Sequence, residues 1–236
     1  MAVYVMADTH LSGSVEKPMD KFGTRWTDYT EKIRVRWSRL VDDCDTVVIP
    51  GDFSWAMTLD EAEEDFRFIS SLPGRKIISK GNHDYWWTTV KKMHAFLDEK
   101  NIGGIEFLYN NAFVRDGVII SGSRGWFIEE KLQSDSFEAD YSKIISRECE
   151  RLSRSIAEGK KLGDGFHAVF LHFPPVFGDF ICQPIIDILK ESGVDHVYYG
   201  HIHSNYSVPP TFIHDGLKFS LISSDYLDFI PQRVFI

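Results

Sequence analysis

The chain has 236 residues, of which 43% are hydrophobic and 14% aromatic, so it can bury a sizeable core in one large domain or two small ones. Its formal net charge is −9, and surfaces that follow a nucleic-acid backbone are usually basic, which argues against extended DNA or RNA as a partner. No apolar stretch is long enough for a transmembrane helix, and three widely spaced cysteines form neither a metal motif nor a disulfide framework. We therefore expect a single domain spanning residues 1–236, located in the cytoplasm and without a membrane partner.

Short β-rich runs alternate with helical patterns along the chain. The apolar runs at 3–6, 46–49, 76–79, 167–171 and 196–199 are predicted to be buried strands. Asp116-Gly117 and Asp215-Gly216 each separate two β-prone runs, which predicts two hairpins, 112–121 and 211–222. Helices are predicted at 27–41, 59–71, 86–99, 137–161 and 184–192. The combination of βαβ order and hairpins favours a sandwich of mixed sheets with helices outside.

A short polar motif directly follows each of the five predicted strands. These motifs are Asp8-Thr9-His10, Gly51-Asp52, Gly81-Asn82-His83-Asp84, His172 and Gly200-His201-Ile202-His203. Because ligands bind beyond the carboxyl ends of strands in α/β sheets, the motif side chains can converge on one edge. A glycine precedes a candidate ligand in three motifs, at Gly51, Gly81 and Gly200, and we expect a tight turn with a permissive φ at each.

The motif side chains offer oxygen and imidazole ligands without a thiolate. That mixture suits Mn²⁺, which we prefer, or Fe, Zn²⁺, Co²⁺ or Ni²⁺, rather than Ca²⁺ or a cysteine-based zinc site. A single metal needs about three or four protein ligands, and the motifs supply roughly seven. The pattern therefore predicts two adjacent divalent cations, an arrangement used to hydrolyse phosphate esters.

The order of these motifs resembles the calcineurin-like metallophosphoesterase superfamily, whose pattern is D-x-H, GD, GNH[DE], H and GHxH, over residues 8–203. The stretches GDFSWAM and GNHDYWW also resemble a bacterial subgroup of predicted phosphohydrolases. The resemblance implies an α/β fold, a four-layer α/β/β/α sandwich of two mixed sheets with the metal pair at the sheet edges. It implies Asp8, His10 and His203 as ligands of one metal, Asn82, His172 and His201 as ligands of the other, Asp52 as their bridge and His83 as the proton donor.

One position departs from the protein-phosphatase branch of that superfamily. There the second motif continues as GDxxDRG, and its second Asp orients the catalytic histidine. Trp55 occupies that position here and no Arg follows, which argues against a phosphoprotein phosphatase. Asp84 is the alternative support for His83.

Aromatic and basic residues near the motifs are candidate substrate contacts. Trp55, Trp86 and Trp126 can stack on a nucleobase or another flat group, although indoles are also common in hydrophobic cores. Arg124, at the end of a predicted hairpin strand, can bind phosphate through its guanidinium or form a surface ion pair. These residues favour a small phosphorylated molecule, such as a nucleotide, over a protein substrate.

We therefore interpret the chain as a phosphoesterase that uses two metals, an activated water and His83 to hydrolyse a small phosphomonoester or phosphodiester. The alternatives are a nuclease and a non-catalytic metal-binding scaffold. The acidic net charge disfavours a nuclease, and the intact ligand set disfavours a scaffold. The oligomeric state and the role of the 137–161 helix, as a lid or a dimer surface, stay open at this point.

Overall fold

The computed structural model of the protein describes residues 1–127 and 135–235, with residues 135–141 described by their backbone alone. In chain order, the strands are β1 (Val3–Val5), β2 (Thr46–Pro50), β3 (Arg75–Ser79), β4 (Ile105–Phe107), β5 (Phe113–Arg115), β6 (Val118–Ser123), β7 (Phe166–Leu171), β8 (Val176–Phe177), β9 (Phe180–Ile181), β10 (His196–Tyr199), β11 (Phe212–His214), β12 (Leu217–Leu221) and β13 (Gln232–Arg233). The α-helices are α1 (Tyr29–Leu40), α2 (Glu63–Ser71), α3 (Val90–Glu99), α4 (Asp135–Lys161) and α5 (Gln183–Ser192).

Most of these strands belong to two mixed sheets. The first sheet has the order β13-β1-β2-β3-β4, in which β1 to β4 run parallel and β13 is antiparallel to β1. The second has the order β11-β12-β10-β7-β6-β5, with four parallel central strands and an antiparallel strand at each edge. Strands β8 and β9 form a separate short hairpin.

Three hydrophobic clusters divide the fold into four layers. Trp37 from α1 and Phe66 from α2 pack on one face of the first sheet. Leu152 from α4 and Leu189 from α5 pack on one face of the second sheet. The remaining faces of the two sheets pack against each other around side chains such as Val48. The predicted α/β/β/α sandwich of two mixed sheets is therefore confirmed. In the part of the chain that the structure describes, no helix combines the length and hydropathy needed to cross a bilayer.

Both Asp-Gly hairpins are confirmed, with pairing registers that leave only these two residues in each turn. Asp116 and Gly117 have φ values of 48° and 76°, and Asp215 and Gly216 have values of 51° and 80°. A two-residue type I′ turn requires positive φ at both central positions, which Asp-Gly tolerates. Local turn chemistry therefore determines these two edges of the second sheet.

Helix α3 begins at Val90, later than the predicted 86–99. The indole Nε1 of Trp86 donates a hydrogen bond to Asp84 Oδ1 at 3.1 Å, which holds this segment in a loop. The helix then starts where the Thr89 hydroxyl accepts a hydrogen bond from Lys92 N at 3.3 Å, a typical N-cap. Local side-chain hydrogen bonds at Trp86 and Thr89 thus set a later helix start than the helical pattern in the sequence predicts.

The two sheets approach each other at the carboxyl end of β1. Ala7, just beyond β1, forms a parallel bridge with Ser223, just beyond β12. Ala7 N donates to Ile222 O at 2.8 Å, and Ser224 N donates to Ala7 O at 3.0 Å. The carboxyl ends of the parallel strands from both sheets are thereby brought to one edge of the sandwich.

Candidate metal centre

The predicted ligands lie at this shared edge, each after the carboxyl end of a parallel strand. In the first sheet, neighbouring strands β1, β2 and β3 lead into Asp8, Asp52 and Asn82. In the second sheet, neighbouring strands β7 and β10 lead into His172 and His201. Five motifs that are distant in sequence therefore meet because each follows a strand of the same direction at the same edge.

Asp8, His10 and His203 form one group of potential ligands. One ligand atom from each lies within 4.8 Å of the other two. His10 Nε2 is 3.2 Å from His203 Nε2, and His203 Nε2 is 3.9 Å from Asp8 Oδ1. Two imidazole nitrogens and a carboxylate oxygen that point at one small volume form a donor set suited to a divalent transition metal.

A second group contains Asp52, His172 and His201, whose ligand atoms also lie within 4.8 Å of one another. His172 Nε2 is 2.6 Å from Asn82 Oδ1, which adds the asparagine to this group. Asp52 Oδ2 is 3.5 Å from His172 Nε2 and 3.8 Å from His10 Nε2. Asp52 therefore lies between the two groups, where one carboxylate can reach both.

The carboxylates of these groups carry negative charge in a buried setting. Asp8 and Asp52 are 0% and 1% exposed. Burial raises the pKa of Asp8 to about 6. Burial, together with the nearby Asp84 and Asp8 carboxylates, raises the pKa of Asp52 well above its ordinary value. Asp8 Oδ1 has no hydrogen-bond partner among the described residues. Bound cations would offset this unbalanced charge.

Three of the four imidazoles in these groups, those of His10, His172 and His201, have lowered pKa values, which favour the neutral form that binds metals. Burial is the largest cause that lowers the pKa of His10 and His172, and it lowers that of His201 to about 4. Within the described residues, His172 Nδ1 is buried without a hydrogen-bond partner and lies 3.6 Å from Asp8 Oδ1. Buried imidazole nitrogens without partners are costly unless a ligand completes the site. The donor set thus fits two divalent cations.

Four of the predicted ligands have left-handed backbone conformations. The φ values of Asp8, His10, Asp52 and His201 are 59°, 44°, 49° and 69°. Such strain costs about 1–3 kcal/mol per residue and persists where surrounding contacts impose it. Here Asp8 N donates to Gly51 O at 3.0 Å, His10 N donates to Asp52 O at 3.0 Å and His201 N donates to Asp8 Oδ2 at 2.9 Å. The loops therefore hold one another in the conformation that gathers the ligands.

The motif glycines have two different roles. Gly51 has a φ of 89°, as expected for a residue in a tight turn. The expectation of a permissive φ is wrong for Gly81 and Gly200, which lie outside the left-handed region. A Cβ on Gly81 would lie 2.1 Å from Asp52 Oδ1, and a Cβ on Gly200 would lie 2.5 Å from Asp8 Oδ2. These two positions require glycine because a ligand carboxylate packs directly against the backbone.

Asp225 belongs to the site, although the motif pattern did not identify it. It is fully buried beyond β12, and its Oδ1 lies 2.7 Å from His203 Nδ1. Burial acts to lower the pKa of His203, but the hydrogen bond to Asp225 and the charge of Asp8 raise it above its ordinary value. A carboxylate in this position orients a ligand histidine and sets which nitrogen faces the metal. Its position after a strand end was the available signal, since Asp225 follows the predicted strand of the second hairpin.

Asp84 clamps two ligand loops and does not support His83. Its Oδ1 accepts hydrogen bonds from Phe53 N at 2.9 Å and Trp86 Nε1 at 3.1 Å. Its Oδ2 accepts from Asp52 N at 2.9 Å and Gly81 N at 2.7 Å. None of the hydrogen bonds described for this carboxylate involves the His83 ring. The expectation that Asp84 supports His83 is therefore replaced by a structural role in fixing Asp52 and Gly81.

The indole ring of Trp55 packs against the rings of His10 and His83. Its ring stacks on His10 with a centroid distance of 4.8 Å and an interplanar angle of 18°, and lies 4.4 Å from the His83 ring. Both Trp55 and His83 line a cavity of about 260 Å³ in front of the candidate ligands. Burial and the charges of Lys17 and His203 lower the pKa of His83 to about 4.

The other predicted substrate contacts lie elsewhere. Trp86 is 1% exposed and packs in the core against Phe66 at 5.0 Å between ring centroids, so the prediction that it contacts substrate is wrong. Trp126 packs against Phe173 at 5.8 Å, and Phe173 in turn contacts the His201 ring at 4.6 Å. Arg124 lines a separate pocket beside the metal centre.

Comparisons with known proteins agree with this architecture. The sequence profile described as calcineurin-like phosphoesterase matches residues 1–205. No curated protein matches the sequence. The crystal structure of the phosphopantetheinyl hydrolase PptH from Mycobacterium tuberculosis is similar, with 15% identity, a TM-score of 0.56 and coverage of 99% of this chain and 95% of that one.

The crystal structure of TT1561 from Thermus thermophilus is also similar, with 10% identity, a TM-score of 0.57 and coverage of 95% of this chain and 89% of that one. At such low identities, these solved structures establish a shared fold alone. The family profile, in contrast, covers most of the chain and includes all five motifs. The chain therefore belongs to the calcineurin-like phosphoesterase family and is a metal-dependent hydrolase of phosphoric esters.

Proposed function

We propose that the protein hydrolyses a small phosphomonoester or phosphodiester at a site that holds two divalent cations. Asp8, His10 and His203 would bind one cation, Asn82, His172 and His201 would bind the other, and Asp52 would bridge them. The observation that carries this proposal is the pair of adjacent ligand groups with Asp52 between them. When bound, two such cations, with Mn²⁺ preferred over Fe, Zn²⁺, Co²⁺ or Ni²⁺, supply Lewis acidity at the phosphoryl oxygens and lower the pKa of water.

His83 is the proposed proton donor to the departing alkoxide. Its half-buried ring faces the same cavity as Asp52 and His203, and its Nδ1 has no hydrogen-bond partner among the described residues. Its low pKa in the free protein argues against a stable proton there. A phosphate anion that arrives in the cavity raises the pKa of a neighbouring imidazole, because opposite charge favours the protonated form. The substrate itself would thus promote the state from which His83 donates.

The shape of the cavity supports a small substrate with a flat organic group. Its volume of about 260 Å³ lies just below the range of about 300–1,000 Å³ usual for small-molecule sites. Met19, Phe22, Trp26 and Trp55 form an apolar and aromatic wall beside the candidate ligands. A nucleobase or another aromatic leaving group can pack on such a wall. The acidic net charge gives no support to a nucleic-acid substrate.

A cytoplasmic location is part of the same proposal. Cys44, Cys149 and Cys182 are all free thiols in the structure. Free cysteines are typical of proteins in a reducing compartment.

The test compares bis(p-nitrophenyl) phosphate with p-nitrophenyl phosphate, using protein stripped with chelator and then reloaded with Mn²⁺. We expect turnover of at least one substrate by the reloaded protein and none by the stripped protein. A faster diester reaction would assign the site to phosphodiesters, and a faster monoester reaction to phosphomonoesters. If the reloaded protein bound metal but hydrolysed neither compound, the proposed function would be wrong.

A further inference from the structure

A second pocket lies one strand further along the edge that carries the metal centre. It has a volume of about 220 Å³ and is lined by Lys80, Arg124, Glu148 and Arg151, among other residues. In the first sheet, Lys80 follows β3 and directly precedes the motif that starts at Gly81. We call this space the cationic pocket.

Strand register places the cationic pocket directly beside the second group of metal ligands. In the second sheet, β6 is the neighbour of β7, and Ser123 pairs with Leu171. The next residues along these strands are Arg124 and His172. The carbonyl oxygen of Arg124 accepts a hydrogen bond from His172 N at 3.2 Å. The pocket and the metal centre therefore share this part of the sheet edge, so one extended small molecule could occupy both.

The cationic pocket contains more positive than negative charge. Three of the lining side chains are cations, Lys80, Arg124 and Arg151, and one is a carboxylate, Glu148. Glu148 is 1% exposed, and its Oε1 lies 2.5 Å from Arg151 Nη1 and 3.7 Å from Arg124 Nη2. Lys80 has no ion-pair partner among the side chains that the structure describes. Among the lining residues that the structure describes, the pocket therefore carries a formal excess of two positive charges.

Aromatic rings hold the two guanidinium groups in position. Arg151 lies over the Tyr109 ring at 5.4 Å from its centroid. Arg124 lies over the Trp126 and Phe173 rings at 5.6 Å and 5.8 Å. Arg124 Nε is buried without a hydrogen-bond partner among the described residues. A guanidinium that is stacked in place loses little freedom when it binds a planar or tetrahedral oxyanion, so it favours phosphate recognition.

We propose that the cationic pocket binds a second phosphate group of the substrate while the scissile phosphate lies at the metal centre. The inference rests on the proposed function and narrows it to molecules that carry two phosphate groups. A dianionic phosphate matches an excess of two positive charges better than a monoanionic carboxylate does. Unlike the metal ligands, the pocket residues do not contact the scissile group, so they select the substrate rather than drive the chemistry.

The test uses linear alkanediol bisphosphates of increasing length and, as the reference, the alkyl monophosphate of each length. For the Mn²⁺-loaded protein, we expect kcat/KM for a bisphosphate of suitable length to exceed that of its monophosphate about tenfold or more. This is the effect expected from one hydrogen bond to a charged group. Equal kcat/KM values at every length would overturn the inference. If the monophosphates were still hydrolysed in that case, the proposed phosphoesterase function would stand without the second phosphate site. If neither series were hydrolysed, the proposed function and the inference about the cationic pocket would both be overturned.

Two variants test whether the preference for bisphosphates over monophosphates comes from the cationic pocket. Arg151→Gln should reduce the ratio of bisphosphate to monophosphate kcat/KM about tenfold. The matched control, Arg154→Gln, changes an exposed residue of the same helix and should keep the wild-type ratio. A wild-type ratio in folded Arg151→Gln would contradict the assignment. If Arg151→Gln unfolds because Glu148 loses its partner, the wild-type substrate series still decides the matter.

A third compound replaces the second phosphate with a carboxylate. It is a phosphorylated hydroxyalkanoate of the same chain length as the preferred bisphosphate. It presents one phosphate and one carboxylate, so it separates phosphate recognition from simple attraction of any anion. We expect its kcat/KM to lie below that of the bisphosphate. A value equal to or above that of the bisphosphate would overturn the assignment of the pocket to phosphate.

Discussion

His203 and Asp225 form a direct hydrogen bond, with 2.7 Å between His203 Nδ1 and Asp225 Oδ1, at the point where the two sheets meet. The same carboxylate accepts hydrogen bonds from Ser204 N at 3.0 Å and Tyr206 Oη at 3.1 Å. Asp225 therefore fixes both the ring of His203 and the loop that follows it. With Nδ1 held in this way, His203 Nε2 is the nitrogen turned toward Asp8 and His10.

Replacement of Asp225 tests this orienting role. In Asp225→Asn, we expect the affinity for Mn²⁺ to fall about 10–100-fold, because the ligand histidine loses its charged partner and its preferred tautomer. Isothermal titration of the metal-free protein measures the change. Asp215→Asn, at an exposed ion pair with Lys190, is the matched control and should bind metal as the wild type does. Unchanged affinity in Asp225→Asn would show that His203 is oriented without Asp225.

Asp52→Asn tests the proposed bridging role of this carboxylate. We expect loss of bound metal and of activity, because an amide carries no negative charge with which to bridge two cations. Metal content after dialysis and turnover of p-nitrophenyl phosphate provide the two measurements. The exposed Asp60→Asn is the control and should retain both. An Asp52→Asn protein that kept two metal equivalents would contradict the bridging position.

The metal-free form of Asp52→Asn gives a second, independent expectation. Burial raises the folded-state pKa of Asp52, so its ionised carboxylate opposes folding at neutral pH when no cation is bound. The stability of the metal-free wild type should therefore fall as pH rises from the unfolded pKa of about 4 through the raised folded value. The metal-free variant should melt no lower than the wild type at neutral pH. A clearly lower melting temperature would indicate that Asp52 stabilises the fold in its own right.

His83→Ala tests the proposed proton donor. We expect both metals to be retained and turnover of an alkyl phosphate to fall about a hundredfold to ten-thousandfold, because the poor leaving group needs a proton. The loss should be smaller with p-nitrophenyl phosphate, whose leaving group departs without one. His94→Ala, at an exposed position of α3, is the control. Wild-type turnover of the alkyl phosphate by His83→Ala would rule out this role.

Gly81→Ala tests the close approach of backbone and carboxylate. The added Cβ would lie 2.1 Å from Asp52 Oδ1 and 2.3 Å from Asp52 N, so the ligand loop must move. We expect a loss of about 1–3 kcal/mol in the free energy of unfolding, together with weaker metal binding. Gly103→Ala is a matched control, since a Cβ there would meet nothing within 4 Å and its φ is ordinary. Equal stability of the two variants in urea titrations would contradict the packing argument.

Elements governed by local chemistry were predictable from the sequence. Both hairpins follow from Asp-Gly pairs between β-prone runs, and the five central strands follow from continuous apolar runs before polar motifs. Strands β4 and β13 were not predicted. They are short edge strands of three and two residues, and their pairing depends on neighbours distant in the chain.

Residue roles that depend on packing were less predictable. Trp86 and Trp55 both follow motif residues, yet one ring lies in the core and the other stacks beneath His10. Sequence position alone does not distinguish these outcomes, because an indole suits either environment. The direction of the Asp84 carboxylate likewise depends on backbone amides from two separate loops.

By itself, the sequence determined the order of strands and motifs and therefore the chemical nature of the candidate ligands. Those features are local, since each motif is read from a few neighbouring residues and the apolar run before it. Only the tertiary structure decided that Asp225 supports His203, that Asp84 clamps the ligand loops, and that Arg124 lies beside the metal centre rather than at it. These relationships join residues from different strands across two sheets, and their distances depend on how the sheets pack at the end of β1.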